Sequence, residues 1–127
     1  MVRFLFVCLG GAAGTGARYL LGGAMQRALG ATFPWGTLSV NLLGSFLISV
    51  IMYLGLEKAI ISADMRIFLT TGVMGGFTTY SSFNFETMRL LQGGTIGMGL
   101  LNVGATLFGC FAAGMLGLLV GKLLGGP

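Results

Sequence analysis

The chain contains no histidine, only three acidic residues and only two cysteines among its 127 residues. The absence of histidine removes the commonest general base and the commonest metal ligand in proteins. No pair of carboxylates and no cysteine beside a base is evident, so an enzyme is not expected. Cys8 and Cys110 both fall in apolar segments, which argues against a disulfide framework.

Charged residues of either sign are also scarce. They make up 8% of the chain, whereas a soluble domain usually carries about 25%. Because hydrophobic residues make up 55%, the chain lacks the polar surface needed to coat a globule, and lipid is its expected solvent. The seven lysines and arginines are scattered, so no nucleic-acid surface is indicated. The 24 glycines follow no collagen period; in an apolar chain they allow transmembrane helices to approach closely.

The hydrophobic pattern predicts four membrane spans, because a span needs about 20 mostly apolar residues. The predicted spans are Val2–Leu29, Trp35–Leu56, Arg66–Leu91 and Ile96–Leu124. The connectors Gly30–Pro34, Glu57–Met65 and Gln92–Thr95 are too short to hold another domain. We therefore expect a single four-span membrane domain over residues 1–127. The basic and apolar start is interpreted as the first span rather than a signal peptide, because the chain stays apolar beyond it.

The basic residues give only a weak signal for orientation. Four spans place both termini on one side of the membrane. The terminal side then carries four basic residues, Arg3, Lys58, Arg66 and Lys122, and the other side carries Arg27 and Arg89, with Arg18 inside the first span. A clear excess of lysine and arginine is needed to select one orientation. The weak bias is compatible with insertion in both orientations and with an antiparallel pair of chains.

Small residues recur at helical spacing in two spans. In the fourth span they occupy every fourth position: Ala105, Gly109, Ala113, Gly117, Gly121 and Gly125. In the first span Gly10 and Gly14 form a single GxxxG motif. Such faces favour close contact between membrane helices. We give the six-member run more weight than the single motif, which arises easily by chance in a glycine-rich chain.

The third span contains the most unusual segment, TTGVMGGFTTYSSFNFE, residues 70–86. Glycine and threonine weaken helices, and hydroxyl side chains can satisfy freed backbone groups or compete for them. We predict a helix break in the middle of this span, where unwound carbonyls can bind a cation such as Na⁺. The alternative is an unbroken helix with glycines at a crossing and hydroxyls bonded to the preceding turn.

Other polar residues within the spans could line an ion pathway or join helices. The second span carries a stripe at four-residue spacing: Thr37, Asn41, Ser45 and Ser49. The fourth span has a weaker stripe of Asn102, Thr106 and Cys110. In the third span Tyr80 and Phe83 share a helix face, and their ring edges carry partial positive charge. Arg18 and Glu86 are the only charges well inside a span, and no role is assigned to Glu86.

Three segments together resemble the Fluc (CrcB) family of fluoride channels: GGAAGTGARYLL, GTLSVNLLGSF and TTGVMGGFTTYSSFNFE. The resemblance covers nearly the whole chain and matches in order, spacing and length. It implies an all-α membrane protein with four transmembrane helices, the third broken in its middle, that forms an antiparallel dual-topology homodimer. It also implies two narrow fluoride pores lined by both subunits, passive export of fluoride from the cytoplasm, and a prokaryotic inner-membrane location.

The resemblance also assigns residues. The backbone carbonyls of Gly75 and Thr78 would hold a structural Na⁺ at the dimer centre, and Arg18 matches a first-span arginine. The expected fluoride pathway comprises Thr37, Asn41, Thr79, Tyr80, Ser81, Ser82, Phe83, Thr106 and Cys110. The chain departs from the family at Tyr80, where phenylalanine is usual, and at Cys110 and Gly114, where serine and threonine are frequent.

Two other functions remain open at this point. A small multidrug-resistance-type transporter is also short and has four spans, but its chemistry needs a carboxylate deep in the first span, where this chain has none. A membrane scaffold without transport would explain the small-residue faces, and it would leave Asn41 and the hydroxyl cluster as contacts between helices.

Overall fold

A computed structural model describes all residues from 1 to 127 and contains helices and connecting turns but no strand, which confirms the predicted all-α class. The α-helices are α1 (Val2–Leu29), α2 (Trp35–Met52), α3 (Ala63–Ile67), α4 (Gly75–Phe77), α5 (Tyr80–Gln92) and α6 (Ile96–Leu124). Two π-helical stretches continue α2 and α3: Tyr53–Glu57 and Phe68–Met74. These π-helical stretches were not predicted from the sequence; such stretches are rare and often lie near functional sites.

Three helical segments are long and apolar enough to cross a membrane. They are Val2–Leu29 with 28 residues, Trp35–Glu57 with 23 and Ile96–Leu124 with 29. The first and fourth predicted spans are confirmed with their predicted bounds, and the second ends one residue later than predicted. The third predicted span is divided among α3, the π-helical stretch after it, α4 and α5.

Two extended residues separate α4 from α5. Thr78 has φ −89° and ψ 160°, and Thr79 has φ −152° and ψ 117°, so neither continues the helix. Thr79 caps the N-terminus of helix α5, because its hydroxyl accepts a hydrogen bond from the Ser82 N–H at 3.2 Å. Threonine at this position satisfies one of the N–H groups that a helix leaves without a partner at its start.

Hydroxyl groups bond to the preceding helical turn on both sides of this interruption. Thr70 donates to the Arg66 carbonyl at 2.8 Å, and Thr78 donates to the Met74 carbonyl at 3.0 Å. Thr87 donates to the Phe83 carbonyl at 2.7 Å. Such bonds keep hydroxyl protons satisfied inside lipid, where an unpaired polar group is costly.

Helix α6 packs on α2 through the small-residue run. A Cβ atom added to Gly121 would lie 3.0 Å from Tyr53 Cβ, and one added to Gly117 would lie 2.9 Å from Ser49 Cβ. A Cβ on Gly109 would lie 2.8 Å from Leu42 Cδ2. Glycine is required most clearly at Gly117, where the obstacles include backbone atoms of Phe46, whereas the flexible end of the Leu42 side chain at Gly109 could shift. The close approach of the helices is the one that the spacing predicted.

Helix α1 packs against the segment Phe68–Phe77 at a second close contact. Gly10 and Gly14 are both buried. A Cβ on Gly10 would lie 2.8 Å from the Phe68 carbonyl oxygen, and one on Gly14 would lie 2.9 Å from the Val73 carbonyl carbon. The low weight given to this GxxxG motif was wrong, because the motif faces backbone atoms that cannot easily move.

Polar contacts gather the two termini at one end of the bundle. Arg3 Nε donates to Asp64 Oδ1 at 2.7 Å, and Lys58 Nζ donates to the Gly126 carbonyl at 2.8 Å. The connector between the second and third spans therefore lies beside both ends of the chain. This arrangement agrees with an even number of passes across the membrane.

Candidate ion pathway

A cavity of about 630 Å³ lies where the extended residues Thr78 and Thr79 face α2, α5 and α6. Most of the predicted pathway residues line this main cavity: Asn41, Thr79, Tyr80, Phe83, Thr106 and Cys110. The two predicted Na⁺ ligands, Gly75 and Thr78, line it as well. Segments that are distant in the sequence are thus brought together around one space.

The remaining predicted residues lie elsewhere. Thr37, Ser82 and Arg18 line a second cavity of about 460 Å³, which we call the vestibule. Thr79 lines both the main cavity and the vestibule, so it stands between them. Ser81 lines neither and is exposed, with its Oγ 3.4 Å from Thr79 Oγ1.

Asn41 is joined to the backbone of Thr79 by two hydrogen bonds. Asn41 Nδ2 donates to the Thr79 carbonyl oxygen at 2.9 Å, and the Thr79 N–H donates to Asn41 Oδ1 at 2.8 Å. Both side chains are buried, at 8% exposure each. The asparagine amide therefore replaces the helical partners that the extended residue has lost, which offsets the cost of opening a helix in an apolar surrounding.

The same bonds alter the surroundings of two carbonyl groups. In a continuous α-helix the Thr79 N–H would donate to the Gly75 carbonyl, and the Ser82 N–H would donate to the Thr78 carbonyl. Here Thr79 donates to Asn41 and Ser82 donates to the Thr79 hydroxyl. The carbonyls of Gly75 and Thr78 therefore lack their regular donors. Carbonyl oxygens of this kind are ligands suited to a hard cation.

Two aromatic rings form part of the main cavity wall. The ring centroids of Tyr80 and Phe83 lie 5.7 Å apart, with an angle of 61° between the ring planes. In this edge-on arrangement one ring presents its electropositive edge toward the face of the other. Tyr80 is 79% exposed in the single chain, so its outer side is free for another molecule or subunit.

The vestibule contains a contact that the sequence analysis missed. Thr37 Oγ1 donates to Glu86 Oε1 at 2.8 Å, and Glu86 Oε2 is buried without a hydrogen-bond partner. Arg18 and Arg27 also line the vestibule and form no ion pair, since Arg3–Asp64 is the only one in the chain. Two arginines against one glutamate favour an anion in this space.

The sequence model of the family described as CrcB-like protein, Camphor Resistance (CrcB), matches residues 5–118. The chain belongs to this family. The resemblance drawn from the three sequence segments is therefore confirmed.

Relatives over the full length of the chain carry one shared description. The fluoride-specific ion channel FluC of Thermus thermophilus is 52% identical over 126 residues, which cover 98% of this chain and 100% of the relative. The protein of the same name from Anaeromyxobacter dehalogenans is 49% identical over 126 residues, covering 99% and 100%. The one from Geobacter sulfurreducens is 41% identical over 124 residues, covering 98% and 100%.

A second buried polar contact also escaped the sequence analysis. Asn102 Nδ2 donates to Thr87 Oγ1 at 2.9 Å, and this bond joins α5 to α6. Neither residue lines the main cavity or the vestibule. Asn102 was noted only as part of a weak polar stripe, and its partner could not be identified because Thr87 resembles the other hydroxyl residues of the third span.

Proposed function

We propose that this protein is a fluoride-selective ion channel that lowers cytoplasmic fluoride by passive export across the inner membrane of a prokaryote. The observation that supports this proposal most directly is the main cavity, which collects an amide, hydroxyls and ring edges at an interrupted helix. Relatives up to 52% identical over nearly the whole chain are named fluoride-specific ion channels. Export needs no energy source if fluoride enters as neutral HF and dissociates inside the cell.

The proposed selectivity rests on the kind of donor around the cavity. Fluoride is small and holds water strongly, so a pathway must offer close replacements for its hydration shell. The Asn41 amide uses one N–H toward Thr79 and retains a second N–H. The hydroxyl of Thr106 and the ring edges of Tyr80 and Phe83 add further donors without any full positive charge. Strong fixed cations would bind the anion too tightly for rapid passage.

The proposed functional unit is an antiparallel homodimer of chains inserted in opposite orientations. In the single chain several polar or small positions within the spans are exposed: Thr15, Thr71, Gly75, Tyr80 and Ser81. Polar groups facing lipid are costly, so a second copy over this surface would stabilise it. Such a partner would also close the open side of the main cavity.

Dual topology has a direct test. Single cysteines at the N-terminus and in the connector Gly30–Pro34 would be probed in sealed cells with a reagent that does not cross the membrane. Each position should be labelled in about half of the molecules if both orientations occur. Complete labelling of one position and none of the other would contradict the antiparallel dimer.

A structural Na⁺ at the dimer centre is part of the proposal. The Gly75 and Thr78 carbonyls lack their regular helical donors and are close in sequence to the interruption. Two copies would supply four such oxygens, and a bound cation would neutralise the carbonyl dipoles inside the membrane. Dimers prepared with Na⁺ should be more stable than dimers prepared with only a bulky organic cation. Equal thermal stability in the two buffers would contradict this assignment.

The channel function is tested by anion efflux from liposomes that contain the purified protein, measured with fluoride and chloride electrodes in parallel. We expect fast fluoride efflux and little chloride efflux. Phe83→Ile, in the cavity wall, should slow fluoride efflux, whereas Phe85→Ile, an exposed position outside both cavities, should not. Drug efflux without fluoride efflux would favour the transporter, and no flux from folded dimers would favour the scaffold.

A further inference from the structure

Thr87 and Asn102 form the most deeply buried polar pair in the chain. Thr87 is 6% exposed and Asn102 is 1% exposed. Asn102 and Val40 are the only large side chains with an exposed fraction below 2%. Burying an asparagine at this depth costs free energy unless its amide is hydrogen-bonded, and Thr87 supplies the partner.

The pair forms a directed chain of hydrogen bonds that ends at a cavity residue. Asn102 Nδ2 donates to Thr87 Oγ1 at 2.9 Å, and Thr87 Oγ1 donates to the Phe83 carbonyl oxygen at 2.7 Å. A threonine hydroxyl has one proton, so donation to Phe83 leaves its lone pairs to accept the amide. Asn102 on α6 is thus coupled to the backbone of Phe83 on α5 through one intervening group.

On each of the two helices, this pair lies one turn away from a residue of the main cavity wall. Thr87 lies one turn after Phe83 on α5, and Asn102 lies one turn before Thr106 on α6. Phe83 and Thr106 line the main cavity, but Thr87 and Asn102 do not. The hydrogen bond therefore holds the two helices together one turn outside the cavity, at the same level on each.

Helix α5 is held to α2 by the Asn41–Thr79 and Thr37–Glu86 bonds, and the Asn102–Thr87 bond is the one side-chain hydrogen bond that joins it to α6. The extended residues Thr78 and Thr79 interrupt the axis, so the rotation and height of α5 are not set by α4. Helix α5 packs mainly on α6, where Gly99 lies against Leu91 at a distance that would put an added Cβ 2.6 Å from Leu91 Cδ2. Apolar packing of this kind permits small rotations, whereas a buried hydrogen bond has one satisfactory geometry.

We propose that Asn102 and Thr87 are positioning residues that set the separation of Phe83 and Thr106 across the main cavity, and with it the rate and selectivity of fluoride passage. This inference rests on the proposed channel function. The pair itself does not touch the ion. The competing explanation is that each residue only satisfies the hydrogen-bonding need of the other, which predicts no effect on transport once both are removed together.

The test compares transport by the double variant N102L/T87V with transport by the wild type. Either single variant leaves a buried polar group without its partner, whereas the double variant removes both groups and should retain the folded dimer. Fluoride and chloride efflux from liposomes are measured alongside thermal stability and dimer size. Thr87→Ser keeps the hydroxyl, and Thr95→Val removes an exposed hydroxyl that bonds only to the Leu90 carbonyl, so both serve as matched controls.

We expect the double variant to form stable dimers that pass fluoride about tenfold more slowly. A barrier to passage that rises by the net free energy of one hydrogen bond changes the rate by about this factor. Its ratio of fluoride to chloride efflux should also fall, while Thr87→Ser and Thr95→Val should behave like the wild type. Wild-type rate and selectivity in the double variant would overturn this proposal alone. A wild-type protein that passes no fluoride would overturn the channel function and this proposal with it.

Discussion

Replacement of Asn41 by leucine should destabilise the protein severely, because Asn41 satisfies both backbone polar groups of Thr79. Leucine is similar in size to asparagine but can neither accept the Thr79 N–H nor donate to its carbonyl. Each buried group left without a partner costs about 1–3 kcal/mol. The two groups together predict a loss of roughly 2–6 kcal/mol in the free energy of unfolding.

The measurement is denaturant-induced unfolding of the purified protein in mild detergent, with fluoride efflux recorded on the same preparation. Asn84→Leu is the matched control, because the Asn84 side chain is exposed and makes no hydrogen bond within the chain. We expect Asn41→Leu to lose both stability and transport, and Asn84→Leu to retain stability. Loss of fluoride efflux in Asn41→Leu with less than about 1 kcal/mol of lost stability would contradict this structural role and would show that Asn41 acts on the ion alone.

Three further predictions follow from the same contacts. Gly14→Ala should lower the unfolding free energy by about 1–3 kcal/mol, because its Cβ would lie 2.9 Å from the Val73 carbonyl carbon. Gly16→Ala should be neutral or stabilising, because nothing lies within 4 Å of its Cβ. Equal effects of the two variants in unfolding experiments would argue against this close packing. Tyr80→Phe should keep fluoride efflux in liposomes near the wild-type rate because the ring contact at 5.7 Å remains, and a large loss would assign a role to the hydroxyl. Thr37→Val should destabilise the protein by about 1–3 kcal/mol because it removes the only hydrogen bond to the Glu86 carboxylate. Thr37→Ser keeps the hydroxyl and should retain the stability of the wild type. Destabilisation by Thr37→Ser would contradict that role.

The helices could be predicted from the sequence because lipid imposes a length and an apolar composition on each span. The bounds of α1 and α6 agree with the predicted first and fourth spans. The π-helical stretches Tyr53–Glu57 and Phe68–Met74 were not predicted, since they arise from a local shift of backbone bonding that leaves no clear trace in composition.

The neighbours of the polar residues were harder to predict. Spacing by four places Thr37 and Asn41 on one side of α2, but periodicity indicates a face and not the helix that faces it. Asn41 is bonded to Thr79 and Thr37 to Glu86, at separations of 38 and 49 residues. Only the three-dimensional arrangement of the helices identifies these partners.

The significance of the single GxxxG motif could not be judged from the sequence. Gly10 and Gly14 are indistinguishable by sequence from a chance pair in a chain with 24 glycines. Their importance depends on the backbone of Phe68 and Val73, which approaches within a distance that admits no side chain. The fourth-span run could be recognised because six regularly spaced small residues are improbable by chance.

Blockage of fluoride efflux from within the main cavity would show whether the ion passes through that cavity. Cys110 lines this cavity, and Cys8 is exposed on α1, so the experiment uses Cys8→Ala as its background. Liposomes containing Cys8→Ala are treated with a small water-soluble thiol reagent, and the variant that also carries Cys110→Ser provides the unreactive control. We expect the reagent to stop fluoride efflux only when Cys110 is present. Unchanged fluoride efflux after complete modification of Cys110 would contradict it, because the ion would then have to follow another route.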